Sequence, residues 1–187
     1  PFHQRFERQR FYFSSPPDTN TDVFLWNEIL LFARPESTVF EANHLDTTQS
    51  VTIAATWNGR RNLVRSVWAH VRNARSEITS IADSVRWFGQ AQITRSATLH
   101  GSSLSEGPTN VFRTWGKNSD LDLSANASLN YFEITYWRRY RALNRSLVCN
   151  SGSVTGTFEI QGGGFQTDQI RVYDVTDSLN PVRLGVD

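Results

Sequence analysis

Apolar and polar residues alternate along most of this chain, and the period is two. Val51, Ile53, Ala55 and Trp57 alternate with Thr52, Ala54 and Thr56, the pattern of a half-buried strand. Asn58-Gly59 follows and predicts a type I′ hairpin turn, because both central positions of that turn need positive φ. The expected partner strand points Val67, Ala69 and Val71 one way and Ser66, Trp68 and His70 the other. Phe132, Ile134 and Tyr136 alternate with Glu133, Thr135 and Trp137, and Leu147 and Cys149 share one face of the next expected strand. Val154–Ile160 and Gln169–Val175 read as a pair joined by the loop around Gly162-Gly163-Gly164. Further strands are expected near Arg8–Phe13, Phe24–Phe32, Thr38–Ala42, Gln92–Leu99 and Asn110–Trp115.

Ser76–Phe88 breaks the pattern. It places Ile78, Ile81, Val85 and Phe88 near helical spacing and reads equally as a short helix or as more strand. Many short strands separated by Gly, Asn, Ser and Pro predict an all-β, two-sheet antiparallel sandwich of jelly-roll type, with at most that one short helix. A length of 187 residues suits a single domain over 1–187.

Composition narrows the function. The chain is 39% hydrophobic and 12% aromatic, too rich in core-forming side chains for a disordered segment. A net charge of +1 gives no one-sided basic field, so nucleic acid is not an expected partner. Lys117 is the only lysine and the remaining cations are arginines, which reflects either a GC-rich genome or selection for stacking and bidentate pairing with aromatic or acidic partners. No apolar run reaches 18 residues, so no membrane-spanning helix is expected, and no secretory signal opens the chain. The sequence starts at Pro1 and contains no Met, so the expectation is a piece of a longer protein.

Candidate chemistry thins out on inspection. Cys149 is alone and excludes an intrachain disulfide; as a nucleophile it would need one of His3, His44, His70 or His100 beside it, and its place next to Leu147 in an alternating run predicts a core cysteine instead. There is no G-x-S-x-G elbow, and Gly101-Ser102-Ser103 after His100 reads as a loop. One cysteine and four dispersed histidines give no zinc spacing. Asp18, Asn20 and Asp22 set oxygen ligands at alternate positions, like the first half of an EF-hand loop, but Val23 and Ile29 occupy the sixth and twelfth places. Calcium is therefore the one metal the sequence offers, against a plain polar turn after Pro17; Asp120 and Asp122 are a second such pair. No carboxylate pair suits a glycosidase. Gly162-Gly163-Gly164 does not open a helix and lacks a following Lys-Ser/Thr, so it is no phosphate cradle. Trp68, Trp115 and Trp137 fall on outward positions by alternation, which suits a carbohydrate platform, against the more common use of Trp in a β protein as a core residue or a contact with another domain. Arg138-Arg139-Tyr140-Arg141 is a basic-aromatic cluster that could dock an acidic neighbour.

The C-terminal third carries a resemblance. Phe132-Glu133-Ile134-Thr135-Tyr136-Trp137-Arg138-Arg139-Tyr140 resembles a strand of the accessory β-sandwich that precedes the catalytic domain in gingipain-like cysteine peptidases. Val154-Thr155-Gly156, then Ile170 through Asp177, then Asn180-Pro181-Val182, is similar to the segment that closes that domain. Arg5-Phe6-Glu7 through Phe24-Leu25-Trp26 is similar to its opening, and the type IX secretion sortase-like proteins share the arrangement. Trp137 stands where Pro is common, Ser178 replaces a Pro, and Thr157 separates Gly156 from Phe158. The resemblance implies a secreted or cell-surface protein in which this module has no catalytic residues or cofactor. Its implied partner is the downstream peptidase domain of the same protein, which it packs against or orients. A surface glycan or protein is the alternative partner, bound by a carbohydrate- or ligand-binding sandwich.

Overall fold

The structure is a computed structural model, and it describes residues 1–8, 11–12, 24–25, 30–31, 34–117, 126–142, 145–149, 161–167 and 169–185. The chain divides into two compact units, Pro1–Arg139 and Tyr140–Asp187.

Among its described residues the first unit contains ten strands: β1 (Phe2–Glu7), β2 (Phe11–Tyr12), β3 (Phe24–Leu25), β4 (Glu36–Ala42), β5 (Ser50–Gly59), β6 (Val64–Arg72), β7 (Ile78–Phe88), β8 (Gln92–His100), β9 (Gly107–Lys117) and β10 (Ala127–Tyr136). β2 and β3 pair with each other. The other eight form two four-stranded sheets, in the orders β1-β10-β5-β8 and β4-β9-β6-β7. Their pairing is nested. β1 pairs with β10, β4 with β9, β5 with β8 and β6 with β7, all antiparallel. The eight strands are thus one long antiparallel hairpin, bent at the β6–β7 turn and rolled until β10 meets β5 and β9 meets β6. That is a jelly roll, two Greek keys closing two sheets over one core.

The period-two pattern fills that core. Val51, Ile53, Ala55 and Trp57 from one sheet face Val67, Ala69, Val71 and Phe112 from the other, all buried. Phe132 sits at the centre. Its ring stacks on Phe6 of the neighbouring strand at 4.6 Å and on Phe112 of the opposite sheet at 4.2 Å, and meets Phe40 edge-on at 5.9 Å.

Two sequence expectations are corrected, at Asn58-Gly59 and at Cys149, and one that stood open is decided. Asn58-Gly59 is not a hairpin turn: both residues lie inside β5, paired with Ser128 and Ala127 of β10, and the chain crosses through 60–63 to the other sheet. Gly59 is needed for close approach. A Cβ there would collide with the guanidinium of Arg65 and the carbonyl of Gly89. Arg65 is fully buried, donates to the carbonyl oxygens of Gly89 and Arg61, and lies 5.2 Å from the Trp87 ring centroid. Burial lowers its pKa. Gly59→Ala should therefore displace Arg65 from both carbonyls and cost about 1–3 kcal/mol, read as a lower urea midpoint; an unchanged midpoint would contradict the close approach.

The segment that reads equally as helix or strand is strand over Ile78–Phe88. β7 pairs with β6 but carries two register shifts, one on each side of Ala82, so Ile81 and Ala82 are both buried in succession. Ser84 adopts φ 52° beside them. The inserted residues break the alternation and mimic helical spacing. The described elements include a single 3-10 turn, Gly101–Ser103.

In the Tyr140–Asp187 unit, Val172–Asp174 (β11) pairs with Val182–Leu184 (β12), and Val154–Ile160, the expected partner of Gln169–Val175, lies outside the described residues. Local turn chemistry closes this hairpin: Asp177 accepts from the Leu179 amide and from the Asn180 side chain, and its carbonyl accepts from the Asn180 amide. Gly163 instead bridges to Arg141. Cys149 is half-buried and belongs to no strand, so it is not the core cysteine expected from its neighbours.

Candidate functional site

The outer face of the β4-β9-β6-β7 sheet gathers the polar-aromatic residues that alternation pushes out of the core. On β6, Val67, Ala69 and Val71 are buried, so Trp68, His70 and Arg72 point outward; on β9, buried Phe112 and Thr114 leave Val111, Arg113 and Trp115 outward. The β6–β9 register places Trp68 against Trp115, His70 against Arg113, and Arg72 against Val111. The two indoles are parallel to within 6°, with centroids 6.4 Å apart. His70 meets Trp115 edge-to-face at 5.0 Å. Thr114 anchors this ledge from beneath. Its hydroxyl donates to the Trp68 carbonyl at 2.8 Å and accepts from Trp57 Nε1 at 3.1 Å.

The face is cationic. Among the described residues, neither Arg72 nor Arg113 forms an ion pair. His70 Nε2 and Arg113 Nε are shielded from solvent and have no hydrogen-bond partner among the described residues. Burial pushes the His70 pKa below its ordinary value, and the charges of Arg113 and then Arg72 push it further. The folded protein then holds fewer protons than the unfolded chain as pH falls below about 6.5. Stability is therefore full above that pH and declines as pH falls toward the lowered value. Melting temperature followed between pH 7.5 and pH 5 should drop more steeply for the native protein than for His70→Gln; equal slopes would contradict this linkage.

Trp68 and Trp115 are thus brought together, both half-buried. Trp137 is not part of the ledge: it is 48% exposed and follows β10, in the other sheet. Asp18, Asn20, Asp22, Asp120 and Asp122 lie outside the described residues. Among the described residues no group of three or more His, Cys, Asp or Glu is placed to hold a metal ion. Arg138 lies over the Phe2 ring at 5.0 Å, and the Arg139 amide donates to the His44 carbonyl.

The described histidines have local roles. His100 Nδ1 accepts from the Ser102 amide at 3.3 Å and caps the 3-10 turn, with Ser102 Oγ at 2.8 Å. His44 Nδ1 lies 3.5 Å from Glu106, and His3 Nε2 lies 3.7 Å from Glu133. Sequence reasoning found the two tryptophans and set His70 on the face of Trp68, but missed Arg72 and Arg113 as their companions. The same alternation carried both; the pairing of β6 with β9, across two intervening strands, did not show.

No family model matches the chain, and no curated protein matches it significantly. Two structures of infectious bursal disease virus are similar to part of it. The Gx strain structure is 11% identical with a TM-score of 0.41, covering 71% of this chain and 32% of that one. The Gt strain structure is 9% identical with a TM-score of 0.34, covering 66% of this chain and 35% of that one. The chain thus spans about a third of the length of the viral chains it matches. The roll rests on its own strand pairing. No helix among the described residues is long and apolar enough to cross a membrane.

Proposed function

We propose that this chain is a non-catalytic accessory sandwich of a secreted or cell-surface gingipain-like peptidase, and that it packs against and orients the catalytic domain that follows. The Phe132–Tyr140 resemblance supports the family. The observation that carries the packing role is the β11–β12 hairpin. It displays Tyr173, Val175, Leu179, Val182 and Leu184, with Leu179 88% and Val182 60% exposed. A two-stranded hairpin that buries so little of its apolar surface is marginal alone, and an apolar patch of this kind marks a protein contact. The test is Leu179→Asp with Val182→Asp, made both in residues 1–187 and in the longer natural chain. The account expects an unchanged melting temperature in the short form and a lowered one in the long form. Equal behaviour in both would overturn it.

The Trp68–Trp115 ledge favours a second reading, in which the same sandwich also binds a ligand on its outer sheet face.

A further inference from the structure

We propose that the outer face of the β4-β9-β6-β7 sheet binds an acidic polysaccharide, a chain of uronate sugars that packs against the Trp68–Trp115 ledge and sets a carboxylate between Arg113 and Arg72. The inference rests on the second reading above and names the ligand's chemistry.

Three observations converge. First, the ledge is aromatic and fixed. The parallel indoles and the edge-on His70 hold each other in place, and Thr114 ties the Trp68 backbone to the core. The C–H face of a pyranose ring covers such an indole without needing a deep pocket.

Second, the charge is uncompensated. Arg72 and Arg113 flank His70 with no described carboxylate paired to either. A neutral sugar would leave that unchanged. A carboxylate would accept from the guanidinium groups in charge-assisted hydrogen bonds, for which Arg's planar fork is suited.

Third, the spacing suits a chain. Trp68, His70 and Arg72 step along one face of β6, roughly 7 Å for every two residues, and Ser37, Arg113, His70 and Ser80 form a row across four strands. A sheet face carrying aromatic and cationic positions in sequence meets successive units of a polymer better than one small molecule.

The experiment is affinity electrophoresis of residues 1–187 through gels containing polygalacturonate, dextran or polyglutamate, with melting temperature recorded for every variant. The expected result is retardation by polygalacturonate only. Trp115→Ala and Arg113→Ala should each weaken it about tenfold or more. Arg72→Gln, at an exposed position, should weaken it with no change in melting temperature, which separates loss of binding from loss of fold. The His70 ring resonances should shift on titration with polygalacturonate, and their midpoint should move up as the anion arrives. Equal retardation by dextran, insensitive to Arg113→Ala, would overturn the acidic class and leave the ligand-binding face standing. Polyglutamate binding that survives Trp115→Ala would overturn the glycan. No retardation by any polymer would overturn both the proposal and the reading beneath it.

Discussion

Phe132→Ala should destabilise the sandwich by about 3–5 kcal/mol, measured as a lower urea midpoint with an unchanged slope. The ring is fully buried and sits where the two sheets meet. It contacts Phe6 and Phe112 face to face and Phe40 edge-on, so truncation removes contacts on three sides. Its neighbours belong to β1, β4 and β9, each held by its own ladder, and cannot all collapse inward. Phe132→Leu keeps most of the volume and should cost clearly less. If alanine cost no more than leucine, Phe132 would not be the centre of the core.

Trp57→Ala should be comparably severe, about 3–5 kcal/mol, because this indole is also fully buried. A gentler pair of substitutions separates its packing from its hydrogen bond. Trp57 Nε1 donates across the sandwich to Thr114 Oγ1, and the Thr114 hydroxyl donates onward to the Trp68 carbonyl. Thr114→Val breaks both links and leaves a buried N–H unpaired, at a cost of about 1–3 kcal/mol. In a Trp57→Phe background no indole N–H remains to be stranded, so Thr114→Val should cost less there. Equal costs in both backgrounds would show that the bond does not couple the sheets. This chain ties the core to the Trp68–Trp115 ledge, so Thr114→Val should also broaden the Trp68 side-chain signals.

The strands were legible because burial is periodic and local. β4, β8, β9 and β10 fall within a few residues of the runs that alternation marks. Pairing was less legible. Asn58-Gly59 carries the composition of a tight turn, but the same glycine also suits a point where another group presses on the backbone, and Arg65 makes that the deciding need. The bulges of β7 left strand and helix equally readable there, since one extra residue changes the phase of everything after it. β1 was missed because Gln4 interrupts an inward face that carries only Phe2 and Phe6 as apolar residues. The site showed the same division. Outward tryptophans follow from alternation within a strand, whereas the grouping of Trp68 and His70 with Arg113 and Trp115 depends on β6 meeting β9 over a long sequence separation.

The proposed accessory role is tested most directly by hydrogen exchange at the backbone amides of residues 173–184, measured in residues 1–187 alone and in a longer chain that carries the proposed peptidase domain. The account predicts slower exchange across that segment in the longer chain, because the apolar side chains around β11 and β12 become covered. Equal exchange in the two forms would contradict it.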